Sequence, residues 1–269
     1  MSHNKLILIL AGSALLLTAC GQSETDTPAP AEPAAAVEAT AMPSMMDLGA
    51  ALATADRSDE DKARDAGRKP AEVLEFLGIV PGMNVVDLMA AGGWYSEVLS
   101  IAVGEGGSVD AQNSPLILSF RDGAYGVALS ERIGDRLRNV TRVDSNWAEL
   151  GASGAQYDAA LSALNIHDAY YLESPEAAAQ MLASVYTVLK PGGVMGIIDH
   201  VGAADGDNGS LHRIEKALVV KLATAAGFML EGESDILANG EDDHTQGVFS
   251  EGIRGQTDRF LLSFRKPAM

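Results

Sequence analysis

The sequence contains very little cysteine: Cys20 is the single thiol among 269 residues. A chain with one cysteine cannot form an internal disulfide, so its fold has to rest on packing. Hydrophobic residues make up 47% of the sequence, which is enough for a sizeable core. The length allows one large domain or two small ones.

Basic residues are also scarce, because 19 lysines and arginines stand against 37 aspartates and glutamates, a net charge of -18. Such a surface repels phosphate backbones, which argues against nucleic acid as a partner. Two interpretations of the acidic excess stay open: a surface that attracts a cationic partner, and a solvated surface without one. The sequence also lacks internal repeats.

An apolar run occurs near the N-terminus, where LILILAGSALLL follows the short basic start MSHNK. The run is too short for a spanning helix and predicts a signal peptide over residues 1–19. LTAC at 17–20 resembles the lipobox of bacterial lipoproteins, which implies cleavage before Cys20 and lipidation of that residue. Gly21 in place of aspartate implies the periplasmic face of the outer membrane. An uncleaved anchor is the alternative, and it also tethers the chain to the cell envelope.

The next segment, 21–50, is rich in Pro, Ala and Glu and shows no lasting periodicity. We predict a disordered tether over 20–56. From 57 to 269 strand-like and helix-like segments alternate, which predicts one α/β domain with a doubly wound, mostly parallel sheet. The predicted strands are 84–88, 108–111, 139–143, 157–163, 194–199, 229–234 and 259–265. The main predicted helices are 70–77, 94–102, 115–134, 175–189 and 212–226.

Several stretches resemble class I S-adenosylmethionine-dependent methyltransferases, namely VVDLMAAGGW, YDAALSALNIHD, VLKPGGVMGIIDH, AGFML and DRFLLSFRKP. Among doubly wound folds, LKPGG before a strand is typical of that family rather than of dehydrogenases. RDAGRKPAEVLEF, GGWYSEVL and LHRI are similar to a group of exported predicted methyltransferases. The resemblance implies a Rossmann-like sheet of seven strands with strand 7 antiparallel, and S-adenosylmethionine as the cofactor.

The glycine loop of that family reads D-x-G-x-G-x-G. Asp87 fits this pattern, whereas Met89 and Ala91 occupy the first two glycine positions, Gly93 the third, and Gly92 is an extra glycine. Glycine serves where φ is positive or where a ligand approaches the backbone. Alanine adds one methyl group, and methionine can turn inward and pack beneath the loop. The resemblance implies cofactor binding here; the alternative is a structural turn whose glycines serve packing.

Further cofactor contacts are implied after the neighbouring strands. Asn113 stands where the family has an acid that binds the ribose hydroxyls, and an amide can bond a diol without charge assistance. Asp144 matches a position that contacts adenine, or it caps a turn. Asn165, after the strand 157–163, completes the implied set. Trp94 either lies over the cofactor or packs.

Histidines follow two strands whose carboxyl ends meet at one edge of the predicted sheet. His167 comes after the strand 157–163 and His200 after the strand 194–199. Because histidine titrates near neutrality, we predict His167 or His200 as the general base of methyl transfer. Asp168 or Asp199 would orient that base. The alternative is that these histidines cap helices or tie loops together.

Two more histidines are placed by their surroundings. His244 belongs to the segment GEDDH, which we predict as a lid that brings His244 to the same rim. His212 lies in a stretch typical of a helix start. No H-x-H or H-x₃-H spacing is present, so we predict no metal site.

Two functions compete. The first is an S-adenosylmethionine-dependent methyltransferase that acts on a small-molecule acceptor, on a lipid-anchored exported domain. The second is a non-catalytic binding module that retains a degenerate methyltransferase fold. The altered glycine loop, Asn113 and export away from the cytoplasm, where the cofactor is made, are arguments for the second. We keep cofactor binding as the better interpretation of the loop and predict the first, with the second as the alternative. A nicotinamide dehydrogenase is disfavoured because the acid after the second strand is missing.

Overall fold

The computed structural model describes residues 45–268, with side chains from residue 48 onward. The predicted signal peptide, Cys20 and most of the predicted tether lie outside these residues, so the predictions about them stay predictions. Between residues 45 and 268, no helix is both long enough and apolar enough to cross a membrane.

The described residues form strands and helices in alternation. The strands are β1 Asn84–Leu88, β2 Ser108–Asn113, β3 Val140–Asp144, β4 Tyr157–Ala163, β5 Leu189–His200, β6 Met229–Ser234 and β7 Arg259–Arg265. The helices are α1 Met45–Thr54, α2 Asp59–Arg68, α3 Pro70–Phe76, α4 Trp94–Val103, α5 Pro115–Ser119, α6 Ala124–Ile133, α7 Trp147–Ala152, α8 Ile166–Asp168, α9 Pro175–Val188, α10 Asn208–Leu211 and α11 Lys216–Ala225. A 3-10 segment, Phe120–Gly123, precedes α6, and a π-helical segment, Ala169–Glu173, follows α8.

The strands form one seven-stranded sheet in the order β3-β2-β1-β4-β5-β7-β6. The first five strands pair in parallel, and β7 runs antiparallel to both β5 and β6. This confirms the predicted α/β, doubly wound, Rossmann-like sheet with strand 7 antiparallel. The strand order reverses at β1, which has β2 on one side and β4 on the other. Doubly wound sheets bind ligands in the crevice at such a reversal.

Helices cover both faces of the sheet, so consecutive residues of a strand enter different cores. In β1, Val85 belongs to one core cluster and Val86 to the other. Strands that are buried on both faces read as continuous apolar runs. Asp87 interrupts such a run although it is only 2% exposed, which marks it as a candidate for a functional role.

The structure differs from the predicted tether at its end, because α1 occupies residues 45–54. Leu52 is 3% exposed, and Leu48 is partly buried against the same core cluster. The two side chains are one helical turn apart and share one face. They dock α1 onto α3 and α4, so folded structure begins before residue 57.

Other differences concern the ends of elements. β5 begins at Leu189 rather than at residue 194. The predicted helix 212–226 is shorter, because α11 begins at Lys216. His212 instead ends α10 with a left-handed backbone, φ 56°. Helices α7, α8 and α10 lie where the sequence predicts no element.

Candidate functional site

A cavity of about 740 Å³ opens at the carboxyl ends of β1 and β4, where the strand order reverses. This volume lies within the roughly 300–1,000 Å³ that is usual for small-molecule sites. The loop between β1 and α4 forms one wall, and residues of α5 and α6 face it. The ends of β4 and β5 form the other side. The segment after β6 adds Val248, Phe249 and Arg254.

The loop between β1 and α4 has the backbone of a glycine loop without two of its glycines. Met89 and Ala91 both have a φ of 50°, and Gly93 has a φ of 78°. A left-handed backbone costs a residue with a side chain roughly 1–2 kcal/mol. The Met89 side chain is 1% exposed and lies in the same core cluster as Ile117 and Ile166. It turns inward, beneath the loop, and leaves the cavity open.

Two amide side chains at the end of β2 support this loop from below. Gln112 Oε1 accepts a hydrogen bond from the Met89 N–H at 3.1 Å. The Asn113 amide accepts from the Ala91 N–H at 2.8 Å and donates to the Ala91 carbonyl oxygen at 3.1 Å. Asn113 is fully buried and does not line the cavity. The structure therefore corrects the implied ribose contact, because the oxygen and the nitrogen of the Asn113 amide are both engaged by the backbone of Ala91.

The two glycines of the loop have different roles. Gly92 lines the cavity, and its carbonyl oxygen accepts from Arg132 Nε at 2.7 Å. A Cβ added at Gly93 would lie 2.6 Å from Leu129 Cδ1, and Gly93 is not a wall residue. The implied cofactor contact of Gly93 is corrected to a packing role, because its missing side chain lets α6 approach the loop.

Of the two remaining residues implied to bind the cofactor, Asp144 lies outside the cavity and Asn165 lies in its wall. The Asp144 carboxylate pairs with Arg142 at 2.6 Å and lines a shallow hollow outside the cavity, so the structure corrects the implied adenine contact. Asn165 does line the cavity. Its Nδ2 donates to the carbonyl oxygens of Leu88 and Met89 at 3.1 and 3.2 Å. Asn165 therefore fixes the end of β4 against the loop.

Asp87 faces the cavity from the end of β1. Burial raises the pKa of its carboxyl group to about 7, although the hydrogen bond from Ser96 and the charge of Arg68 act in the opposite direction. The Ser96 hydroxyl donates to Asp87 Oδ2 at 2.6 Å. The carboxyl group is thus poised to change its charge near neutral pH.

Arg68, in the last turn of α2, also lines the cavity. Its guanidinium lies 4.6 Å from the ring centroid of Trp94, a cation-π distance. Burial lowers the pKa of Arg68 to about 10, with the charge of Arg64 adding to the effect. Across residues 48–268, no carboxylate lies within ion-pair distance of Arg68. Trp94 is packed against α2, where its Nε1 donates to the Asp61 carbonyl oxygen at 3.2 Å. It also forms part of the cavity wall.

The predicted catalytic residues meet at the far side of the cavity. Asp199 is completely buried and accepts the backbone N–H groups of His167 and His200 at 3.0 and 2.7 Å. Asp199 Oδ1 also lies 2.7 Å from His167 Nδ1. A carboxylate in this position holds the imidazole with Nδ1 protonated and Nε2 directed elsewhere. Asp199 therefore orients His167, as the sequence predicts of Asp168 or Asp199.

The other ring nitrogen of His167 faces a second carboxylate. His167 Nε2 lies 3.1 Å from Asp168 Oδ1, and His212 Nδ1 lies 3.2 Å from the same oxygen. Burial opposes a charge on His167, but Asp199 and Asp168 outweigh it and raise its pKa to about 10. His167 is therefore protonated at neutral pH in this arrangement and is not a free base.

His200 has the opposite character. Its Nδ1 lies 2.7 Å from the Thr257 hydroxyl, and its ring contributes to the cavity wall. Burial lowers the pKa of His200 well below the usual range, and the charges of His167 and Arg259 add to this effect. The imidazole is neutral at pH 7 and lines the cavity, so of the two predicted bases His200 fits that role better than the protonated His167.

The structure brings His212 to the cluster instead of His244. The rings of His167 and His212 are 5.6 Å apart, and those of His167 and His200 are 5.9 Å apart. His244 Nε2 pairs with Asp258 at 2.9 Å, and His244 is not a wall residue. Sequence reasoning missed His212 and Arg68 as site residues, although LHRI and RDAGRKP are stretches that carry the resemblance.

Solved methyltransferase structures have a similar fold. A SAM-dependent methyltransferase from Aquifex aeolicus is 20% identical, with a TM-score of 0.50 over 73% of this chain and 89% of its own. A proposed sarcosine dimethylglycine methyltransferase from Galdieria sulphuraria is 19% identical, with a TM-score of 0.53 over 76% and 85%. The (4+2)-cyclase SpnF is 16% identical, with a TM-score of 0.55 over 76% and 82%.

No protein-family model and no curated protein matches the chain. At identities of 16–20%, the structural likeness shows the Rossmann-like methyltransferase fold and nothing finer. A cyclase is among the similar structures, so the reaction has to be argued from the site, not from the fold.

Proposed function

We propose that this chain binds S-adenosylmethionine in the cavity above β1 and transfers its methyl group to a small-molecule acceptor. The observation that carries the proposal is the open crevice at the strand reversal. It is open because Met89, at the first glycine position, packs into the core with 1% of its surface exposed. A methionine directed the other way would occupy the cofactor's place.

The residues present fit such a cofactor. The backbone of Met89, Ala91 and Gly92 offers a strongly curved loop that a ligand can approach closely. Asp87 supplies an acidic group beside the loop. S-adenosylmethionine is a cationic sulfonium with an amino acid end, so Asp87 suits its positive groups. Arg68 suits its carboxylate, since a guanidinium binds carboxylates through paired N–H donors.

The cofactor supplies a methyl group on an electrophilic sulfonium. The protein has to position the acceptor in line with that group and remove its proton where the acceptor is an oxygen or nitrogen. We assign proton removal to His200 Nε2, because Nδ1 is engaged by Thr257 and the ring is neutral. His167 lies beside His200 on the same side of the cavity, where Asp199 and Asp168 hold it.

The acceptor site lies where the cavity continues toward α2 and the segment after β6. Its walls there include Arg64, Arg121 and Arg254, a basic lining in a chain of net charge -18. Arginines attract negatively charged groups, so the cavity favours a small acceptor that carries one.

The proposal includes the cellular setting. The lipobox-like LTAC at 17–20 supports a lipid anchor on Cys20 and a position in the bacterial cell envelope, facing the periplasm. Metabolic labelling with a radioactive fatty acid tests this directly. Labelled wild-type chain and unlabelled Cys20→Ala are expected, and an unlabelled wild type would remove the anchor from the proposal.

Calorimetric titration of the full chain with S-adenosylmethionine tests the function itself. Gly92→Leu is the sharpest variant, because the new Cβ has ordinary room beside Ala128 while the side chain enters the cavity. Gly240→Leu is its matched control, since Gly240 is exposed and a Cβ there meets nothing within 4 Å. We expect binding by wild type and Gly240→Leu, and loss of binding in Gly92→Leu.

The alternative is a non-catalytic binding module. It is favoured by the left-handed Met89 and Ala91 and by Asn113, which is engaged by the loop instead of a ribose. Wild-type protein that gives no heat with millimolar cofactor would leave this alternative. The same conclusion would follow if wild type and His200→Gln both bound the cofactor and neither methylated any acceptor.

A further inference from the structure

Two histidines and an aspartate converge at the inner end of the cavity, on elements that are distant in sequence. His167 and Asp168 belong to α8 after β4, and His212 ends α10 after β5. Among residues 45–268, these three side chains form a group with the spacing of a metal site: one ligand atom from each lies within 4.8 Å of the other two. All three residues line the cavity.

We infer that His167 Nε2, Asp168 Oδ1 and His212 Nδ1 bind a divalent transition-metal ion at the wall of the cavity. The proposal goes beyond methyl transfer and does not rest on it, because an ion can occupy this group without any cofactor.

The spacing of the ligand atoms fits an ion. Bonds of about 2.1 Å from a metal to nitrogen or oxygen place neighbouring ligand atoms about 3.0–3.4 Å apart. In the structure Asp168 Oδ1 lies 3.1 Å from His167 Nε2 and 3.2 Å from His212 Nδ1. Two of the three distances therefore already fit an ion, and the third, between the two nitrogens, is within 4.8 Å.

The surroundings orient the ligands. Asp199, fully buried, lies 2.7 Å from His167 Nδ1 and keeps the proton on that nitrogen, so Nε2 becomes the ligating nitrogen when the ion displaces the proton that it carries in the metal-free chain. A carboxylate behind a metal-binding histidine is the usual outer partner in such sites. His212 is held with a φ of 56°, and its ring packs edge-on against Phe249 at 5.0 Å. A strained backbone at a ligand position is a recurring feature of functional sites.

The ligand set indicates the class of ion and its role. Two imidazole nitrogens with one carboxylate oxygen suit Zn²⁺ and related first-row ions more than Mg²⁺ or Ca²⁺. Three protein ligands leave coordination positions open, as in catalytic rather than structural zinc sites. Because all three residues are wall residues, the open positions face the cavity, where water or an acceptor atom can bind.

Zinc binding by the purified full chain tests the inference. The chain is stripped with a chelator, loaded with ZnCl₂ without S-adenosylmethionine, passed through a desalting column and analysed for zinc by mass spectrometry. We expect about one ion per chain, the stoichiometry of a mononuclear site. Calorimetry with Zn²⁺ then gives the dissociation constant. In His212→Ala we expect this constant to rise at least about tenfold, because the loss of even a supporting group around a metal costs about that much affinity.

His244→Ala is the matched control, because His244 also pairs with an aspartate, Asp258, but away from the cavity. We expect this variant to bind zinc as wild type does. Asp168→Asn is the second ligand variant, and thermal unfolding shows that each variant is folded. Equal zinc affinity in wild type, His212→Ala and Asp168→Asn would overturn the site and assign the metal to the acidic surface. A wild type that retains no zinc would overturn it as well.

Discussion

The guanidinium of Arg213 donates to both carboxylate oxygens of Asp242, at 2.8 and 2.9 Å, and both side chains are shielded from solvent. Arg213 also donates to the carbonyl oxygens of Val201 and Gln246. The ion pair therefore joins the end of β5 to the segment after β6, which reaches the cavity wall. The sequence predicts a lid in this segment, and Arg213 and Asp242 are the contact that holds it.

We expect Asp242→Asn to lower the free energy of unfolding by roughly 3–5 kcal/mol, because Arg213 stays buried without its opposite charge. Urea unfolding of the full chain measures the change. Glu241→Gln, the exposed neighbouring acid, is the control and should stay within about 0.5 kcal/mol of wild type. A similarly small change in Asp242→Asn would show that the ion pair does not hold the segment.

Asp87 gives a prediction about pH. Burial raises its pKa from 3.8 to about 7, against the influence of Ser96 and Arg68. Between these values the folded chain holds a proton that the unfolded chain has lost, so this carboxyl group makes stability fall as the pH rises from about 4 to 7. Asp87→Asn keeps the group neutral and removes that loss. The variant should gain stability over wild type across this window, by at most about 4 kcal/mol at roughly 1.4 kcal/mol per pKa unit.

Urea unfolding at pH 5 and pH 8 measures the gain, which should be larger at pH 8. Under the proposed function the same variant should bind S-adenosylmethionine more weakly, because the acidic group facing the cationic cofactor is gone. Asp144→Asn is the control for both measurements, since Asp144 pairs with Arg142 outside the cavity. Tighter cofactor binding by Asp87→Asn would contradict the assigned position of the cofactor.

Asn113 gives a prediction that runs against the family pattern. An acid is usual at this place, but Asn113→Asp removes the Nδ2 donor and sets a buried carboxylate 3.1 Å from the Ala91 carbonyl oxygen. An unsatisfied or repelling buried group costs about 1–3 kcal/mol. We expect lower stability and weaker cofactor binding, measured by urea unfolding and calorimetry. If Asn113→Asp strengthened binding, the ribose contact implied by the resemblance would be right after all.

Much of the fold could be predicted because its signals are local. The bounds of β1, β4, β6 and β7 agree with those predicted from sequence, since turn residues and helical segments on either side delimit each strand locally. α1 could not be predicted, because it begins within a segment that is rich in Pro, Ala and Glu and shows no lasting periodicity. Its helix depends on Leu48 and Leu52 meeting a distant core.

The candidate site could likewise be predicted only in part. Position at a strand end placed Asp87, Asn165, His167 and His200 at the cavity, because parallel strands share one edge. Position fixes the backbone but not the direction of a side chain, and Asn113 turns under the loop. The role of His212 depends on Asp168, 44 residues away in the chain, and no local pattern carries that contact.

The two substituted glycine positions should respond differently when glycine is put there. At Ala91, glycine relieves a φ of 50° and removes one methyl group, so Ala91→Gly should be neutral or stabilising by up to about 1 kcal/mol. At Met89, the same relief is outweighed by the loss of a fully buried side chain, which costs about 2–5 kcal/mol. Met89→Gly should therefore destabilise the fold in urea, while Ala91→Gly keeps or improves cofactor affinity in calorimetry. Equal stability of the two variants would mean that Met89 is not a core residue, and the cavity above β1 would then not be free for a ligand.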